Sequence, residues 1–246
     1  MMEELQLANE NSEINIYDPY DNFKCNLVLR GHLESVYYLC QLDDGILVSY
    51  SFSYIHIWSI TKDSYTFIGV QDDPNNLIYK IIKLSKERFA TCCLDEIIQI
   101  WNGKPPYNLI EKVKGHESVV TSIIQLQNKE VLVSASFDNT LLFFDLDSYK
   151  NTNIIDSILC SWNNSLYQSD EAHLFIGGYN QISVYNINSN QIISIIEGTF
   201  GEVDSFISFG DDCILYGCGD GSLCVLNKNI LLTIKKKNFI KEILLH

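Results

Sequence analysis

His116, Ser134 and Asp138 stand within a short stretch of this 246-residue chain and have the makings of a nucleophilic relay. An imidazole set between a hydroxyl and a carboxylate activates serine: the carboxylate fixes the ring and the ring takes the proton. Carboxylates also occur in pairs, Asp43-Asp44, Asp72-Asp73 and Asp211-Asp212. Paired carboxylates hydrolyse glycosides or hold metal ions when they converge on one mouth. The eight cysteines, Cys25, Cys40, Cys92, Cys93, Cys160, Cys213, Cys218 and Cys224, form no CxxC pair, and no two histidines stand at zinc-ligand spacing. Which of these groups meet is decided by the elements that carry them.

The stretch from Gly115 to Leu146 holds the first trio. It opens with Gly115-His116, passes through two runs alternating apolar with small or polar residues, turns at Phe137-Asp138-Asn139 and closes on a third apolar run ending Phe144-Asp145. Period-two alternation marks strands with one buried face, and Asp-Asn tolerates a tight turn. The template recurs. Leu132 to Phe144 is a step of twelve with Asp138 six in; Phe89 to Trp101 repeats it with Asp95, and Ile214 to Leu226 with Asp220. Leu47 to Trp58, after Gly31-His32, and Leu174 to Tyr185 match with a turn one residue shorter.

Self-similarity at about forty residues is the mark of a β-propeller of four-stranded blades, none of which buries its own apolar face alone. With Gly115-His116 and Phe144-Asp145 at the Gly-His and Trp-Asp positions, the chain resembles the WD40-repeat family. The resemblance implies an all-β fold, a single propeller domain over residues 1–246. Leu5 to Tyr17 is again a step of twelve, with Asn11 at the midpoint and Tyr17-Asp18 at the Trp-Asp position, so the chain is expected to begin inside a blade. Full sets run from Ser35 to Gly69 and from Ile78 to Lys112. The opening stretch comes next, with an outer strand near Asn153 to Asp156. A weak set has its inner strand within Ile158 to Gln168, then Leu174 to Gly177, Ile182 to Tyr185 and Gln191 to Ile196. The sixth comprises Val203 to Phe209, Ile214 to Cys218, Ser222 to Leu226 and Ile230 to Ile234; Phe239 to Leu245 then reads as the inner strand the N-terminal segment lacks. Six blades closed by pairing of the two termini are expected, since the chain is short for seven, and closure removes exposed strand edges.

In this family the Gly-His histidine, a second-strand serine or threonine, the turn aspartate and the third-strand tryptophan can form a buried structural hydrogen-bonded set. His116, Ser134 and Asp138 match it, although Phe144 offers no N–H. Trp101 has Thr91 and Asp95 without a histidine; Trp58 has His32 and Ser49 with Ser53 in place of the aspartate; Asp220 holds the turn position of the last set. On this reading the trio is structural, no catalytic residue, cofactor or metal is expected, and the paired acids are solvated turn residues. The residue before the second turn commonly faces solvent in the family. Here these residues are Phe52, Leu94, Phe137 and Tyr179, with Glu10 and Gly219 in the other two sets. Together with Glu34 and Glu117 beside the Gly-His pairs, they are the expected partner site, suited to a peptide with a hydrophobic anchor and a basic residue.

A net charge of −14 disfavours nucleic acid, whose binding draws on lysine and arginine. Strand cysteines fit buried, reduced thiols of a cytoplasmic or nuclear protein. No run is long and apolar enough to span a bilayer, and the acidic N-terminus lacks a signal core, so neither secretion nor membrane insertion is expected. The implied function is a non-enzymatic protein–protein scaffold, the alternative a subunit held in a larger assembly by its blade sides.

Overall fold

The computed structural model describes residues 5–8, 12–18, 20–22, 24–43, 45–51, 54–61, 64–72, 78–156, 158 and 165–228. Expectations for Phe52, Ser53, Glu10, Asn11, Ile230 to Ile234 and Phe239 to Leu245 lie outside the described residues, and with them the blade count and its closure.

The chain falls into two compact units, Met1–Lys112 and Val113–His246. In the first, β1 (Leu5–Ala8), β2 (Glu13–Asp18) and β3 (Lys24–Arg30) form one antiparallel sheet in sequence order. β4 (Val36–Asp43), β5 (Ile46–Ser51), β6 (Tyr54–Ile60) and β7 (Tyr65–Asp72) form a second. β8 (Ile78–Leu84), β9 (Arg88–Cys93), β10 (Ile98–Asn102) and β11 (Leu109–Val113) form a third. In the second unit β12 (Val120–Gln125), β13 (Val131–Ser136), β14 (Leu141–Asp145) and β15 (Asn151–Ile155) make a four-stranded meander. The remaining sheet has six strands, β16 (Leu166–Gln168), β17 (His173–Gly177), β18 (Tyr179–Asn186), β19 (Gln191–Phe209), β20 (Cys213–Cys218) and β21 (Leu223–Asn227).

The step of twelve in the sequence is the hairpin register. Leu132 lies opposite Phe144, Phe89 opposite Trp101, Ile214 opposite Leu226 and Leu5 opposite Tyr17. The eleven-residue steps are partners too, Leu47 with Trp58 and Leu174 with Tyr185. Antiparallel partners share a constant midpoint, so the residue six beyond the first sits at the tip. Three tips use a three-residue loop whose last residue is left-handed: Glu96 (φ 65°), Asn139 (φ 63°) and Gly221 (φ 86°). Asn and Gly tolerate that conformation, whereas Glu96 adopts it without such help.

The second strands of the sheets are buried along most of their length. Every residue of β9 is buried, as are five of the six in β5. Within the first unit Ile14, Ile16 and Leu29 pack on Leu47 and Trp58, and Val48, Tyr50 and Ile57 pack on Ile81, Phe89 and Trp101. Within the second, Val133, Leu141 and Phe143 meet Leu166, Leu174 and Tyr185, and Phe175 and Val184 meet Val203, Tyr216 and Leu226. Each such side chain contributes roughly 1.5–3 kcal/mol by leaving water.

The inner strand expected within Ile158 to Gln168 is Leu166–Gln168, and Ile158 is buried. One expectation needs correction. The runs Gln191 to Ile196 and Val203 to Phe209 are one strand, β19, which pairs with β18 in its first half and with β20 in its second. It joins two blades with no loop between them, because Gly198 and Gly201, both at positive φ, let an extended chain change sheets.

Candidate functional site

The β12–β15 sheet gathers the expected trio. His116 Nε2 lies 2.7 Å from Ser134 Oγ and Nδ1 2.8 Å from Asp138 Oδ2. A carboxylate only accepts, so Nδ1 carries the proton and Ser134 donates to Nε2. Asp138 also receives the Glu117 N–H at 2.9 Å, the Thr140 N–H at 2.9 Å and the Thr140 hydroxyl at 2.6 Å. Partial burial raises its pKa, but the bonds from Thr140, Glu117 and His116 outweigh that and hold it below the usual carboxylate range. Burial keeps His116 neutral, shifting its pKa down against the pull of Asp138. The relay geometry is present, yet Ser134 is 0% exposed and no substrate reaches its hydroxyl in this conformation.

The turn aspartates share one task. Asp95, Asp138 and Asp220 each accept the amide two residues on, from Ile97, Thr140 and Ser222. The residue after the third-strand aromatic does the same at the opposite end of the hairpin. Asp18 takes the N–H of Tyr20, Asn102 that of Lys104, Asp145 those of Asp147 and Ser148, and Asn186 those of Asn188 and Ser189. This is turn capping by a short side-chain oxygen. Only Tyr17-Asp18 and Phe144-Asp145 signalled it in sequence, because Asn102 and Asn186 depart from the aspartate.

In the β4–β7 sheet the set differs from expectation. His32 Nε2 lies 2.6 Å from Ser49 Oγ, and Trp58 Nε1–H donates to the same oxygen at 2.7 Å. The partner of His32 Nδ1 is Ser51 Oγ, at 2.9 Å, a residue on β5 itself and not one of the turn. A second histidine, His56 on β6, stacks on His32, a contact no motif announced. Its Nδ1 is buried with no hydrogen-bond partner. In the β8–β11 sheet Trp101 Nε1–H donates to Thr91 Oγ1 at 3.1 Å.

Both Gly-His glycines are there for close approach. A Cβ on Gly31 would stand 3.0 Å from Trp58 Cη2, and one on Gly115 3.0 Å from Leu142 Cδ1 and 3.3 Å from Phe144 Cζ.

The partner-site residues fall in both units. In the first, Leu94 is exposed beside the Asp95 turn, and Glu34 is exposed near Tyr50, whose hydroxyl accepts the Ile78 N–H at 2.8 Å. Tyr37, 51% exposed, tilts against Tyr50, and Leu33, 86% exposed, comes directly after His32; neither was singled out from sequence. In the second unit Tyr179 is 60% exposed at the tip between β17 and β18 and Glu117 is exposed beside His116. Phe137 is half-buried, its N–H bound to Val119 O at 3.0 Å. Within that unit Tyr179 lies opposite Glu202, whose carbonyl accepts the Gly219 N–H, so two hairpin tips are fastened together.

The described paired acids have partners of their own. Asp43 pairs with Lys104 Nζ at 3.2 Å, which also meets Glu87 at 3.3 Å, while Asp211 and Asp212 lend backbone carbonyls to Lys228. Among the described residues no group of three or more His, Cys, Asp or Glu is placed to hold a metal ion, and no helix is long and apolar enough to cross a membrane.

Residues 107–145 match the family described as WD domain, G-beta repeat. The chain is 27% identical over 135 residues to Zinc finger CCCH domain-containing protein 48 of Arabidopsis thaliana, covering 54% of this chain and 30% of that protein. It is 21% identical over 166 residues to WD repeat-containing protein 41 of Homo sapiens, covering 65% of this chain and 36% of that one. The chain therefore spans about a third of the length of these relatives. A chain in the Crystal Structure of Mitotic Checkpoint Complex superposes with a TM-score of 0.79 at 17% identity, over 91% of this chain and 71% of that one.

Proposed function

We propose that this chain, which carries a WD40 repeat and has the fold of WD40 propellers, is a non-enzymatic scaffold binding a peptide or protein partner through its hairpin tips. The observation that carries this reading is Tyr179, a large aromatic 60% exposed at a tip held rigid by backbone bonds, the kind of group that anchors an interface. Leu94 and Leu33 repeat the character in the other unit. The exposed Glu34 and Glu117, with a net charge of −14, favour a partner that brings a basic residue beside its apolar anchor and disfavour nucleic acid. The seven described cysteines are thiols and not disulfides, which suits a cytoplasmic or nuclear setting.

A specific observation favours a second reading, a subunit gripped by its blade sides. The outer strands expose Phe67 and Ile68 on β7, Ile110 on β11, Ile154 on β15 and Ile193 and Ile195 on β19. The two readings separate when the full chain is screened against immobilised twelve-residue peptides with basic and hydrophobic residues. Tip binding predicts captured peptides whose affinity falls about tenfold or more with Tyr179→Ala or Leu94→Ala and holds with Ile154→Asp. Absence of any capture, or the reverse mutational pattern, overturns it.

A further inference from the structure

From Asn151 to Asn227 the chain has no lysine or arginine, against nine aspartates and glutamates. With histidine neutral these 77 residues carry −9, leaving −5 for the other 169. The β16–β21 sheet therefore has no lysine or arginine of its own. Lys228, the first to follow it, is held at one end of these strands, where its ammonium donates to Asp211 O at 3.1 Å and its N–H to Asp212 O at 2.7 Å. At the other end stand Tyr179, Glu202, Asp204 and Asp220, and none of the three carboxylates forms an ion pair with a described residue.

Tyr179, 60% exposed, is paired directly with Glu202, so the two side chains rise from one face of the sheet with their Cβ atoms about 5 Å apart. Beside them Gly219 is exposed. The Cβ it lacks would stand 3.6 Å from Glu202 Cβ and 3.9 Å from Asp204 Oδ2, which leaves a notch between those side chains. Neither backbone nor packing demands glycine there, since its φ is not positive and both distances are ordinary contacts. The notch is held rigid: the Gly219 N–H donates to Glu202 O at 2.8 Å, the Val203 N–H to Gly178 O at 3.1 Å and the Gly201 N–H to Asn180 Oδ1 at 3.0 Å. A site ordered in advance loses little entropy on binding.

An exposed ring with carboxylates at its edge discriminates between cations. A guanidinium is planar, stacks on an aromatic face and offers paired N–H donors to a carboxylate, whereas an ammonium is compact and more strongly hydrated.

We propose that the Tyr179 tip recognises an arginine side chain of the partner, its guanidinium lying on the Tyr179 ring and donating to Glu202 and Asp204. The assignment rests on the tip-binding reading above and makes Tyr179 a platform for a cation, not an apolar anchor. For the test, the tightest peptide captured in the screen described above is resynthesised with a fluorescein label and with every basic position as arginine, lysine or neutral citrulline. Fluorescence anisotropy then gives the affinity of each form for the full chain. The arginine form should bind at least fivefold more tightly than the lysine form and at least tenfold more tightly than the citrulline form, the second ratio shrinking severalfold in 0.5 M salt. Tyr179→Phe, which keeps the ring, should hold the arginine preference. Tyr179→Leu, which keeps only an apolar group, should bring it below about twofold, and Glu202→Gln should weaken the arginine form at least fivefold. Equal affinity of the arginine and lysine forms, or an arginine preference unchanged by both Tyr179→Leu and Glu202→Gln, overturns the assignment and leaves the tip-binding reading standing. Equal weakening of all three forms by Tyr179→Leu also overturns it, since the ring is then an apolar anchor. Capture of no peptide overturns both.

Discussion

The imidazoles of His32 and His56 lie face to face, centroids 3.8 Å apart and planes 11° from parallel. His32 satisfies both nitrogens with Ser49 and Ser51, whereas His56 Nδ1 has no partner, and Trp58, Phe67 and Tyr54 close around the pair. Two rings at this separation are compatible only with neutral imidazoles, since a charge on one would be desolvated and would repel a charge on the other.

Stability should therefore fall in acid. Burial, then His56, lowers the His32 pKa to about 3, and burial lowers that of His56 to about 4. The unfolded chain takes up protons near pH 6.5 while the folded one refuses them, so the stabilisation is intact above 6.5 and is lost as pH drops from there toward 4. Each histidine contributes at most about 1.4 kcal/mol per pH unit in that window. Urea unfolding between pH 7 and 4.5 should show this slope, and His56→Phe, which keeps the ring and removes the orphan nitrogen, should roughly halve it without loss of stability at pH 7. An unchanged slope would place the proton uptake elsewhere.

Asp138 and Asp220 occupy equivalent tips, and their substitutions should differ sharply. Asp138 receives four hydrogen bonds, two from Thr140 and one each from Glu117 and His116. Asp138→Ala strands the buried His116 N–H and should cost about 2–4 kcal/mol, with Asp138→Asn losing less. Asp220 accepts from the N–H and hydroxyl of Ser222 at an exposed turn and serves no buried group, so Asp220→Ala should leave the unfolding midpoint nearly unmoved. Equal effects would mean that the turn cap, and not the histidine, is what the aspartate serves.

The hairpins were legible because a fixed register leaves a fixed sequence spacing: Leu132 and Phe144 face each other, and the turn residue must fall midway. The same logic located Leu5 opposite Tyr17 in a segment without Gly-His or tryptophan. Side-chain partners across the sheet were less legible. Ser51 replaced the absent aspartate for His32 because any hydroxyl at the right height on β5 serves, and sequence spacing does not record height. The long β19 was hidden since glycine reads as a turn, while Gly198 and Gly201 merely bend an extended chain. Exposure was hardest of all. Phe137 and Tyr179 are equivalent by position, yet only Tyr179 stands out in solvent.

Gly177 should tolerate alanine far less well than Gly115. A Cβ at Gly177 would fall 2.5 Å from Ser165 Oγ, 2.6 Å from Val203 O and 2.9 Å from Val203 Cβ, and the carbonyl belongs to β19, which cannot retreat without breaking its pairing. At Gly115 the nearest atoms are the side-chain ends of Leu142 and Phe144, which can shift by a few tenths of an ångström. Overpacking of the first kind costs roughly 3 kcal/mol and of the second roughly 1 kcal/mol. Thermal unfolding of Gly177→Ala and Gly115→Ala orders them, and Ser165→Ala should rescue Gly177→Ala only in part because Val203 O remains.

Two buried indoles test how much a shared acceptor is worth. Trp101 N–H has one partner, Thr91 Oγ1 at 3.1 Å, and Thr91→Val removes it while keeping the shape, leaving one orphan donor at a cost of about 1–2 kcal/mol. Ser49 Oγ serves Trp58 and His32 together, at 2.7 and 2.6 Å, so Ser49→Ala strands two groups and opens a small void, for about 2–4 kcal/mol. Trp101→Phe in the Thr91→Val background should recover part of the loss, since the orphan N–H disappears with its ring, and the coupling in that double-mutant cycle should exceed about 0.5 kcal/mol. Ser49→Ala costing no more than Thr91→Val would show that His32 finds a new partner at once, and that the serine is a convenience of packing.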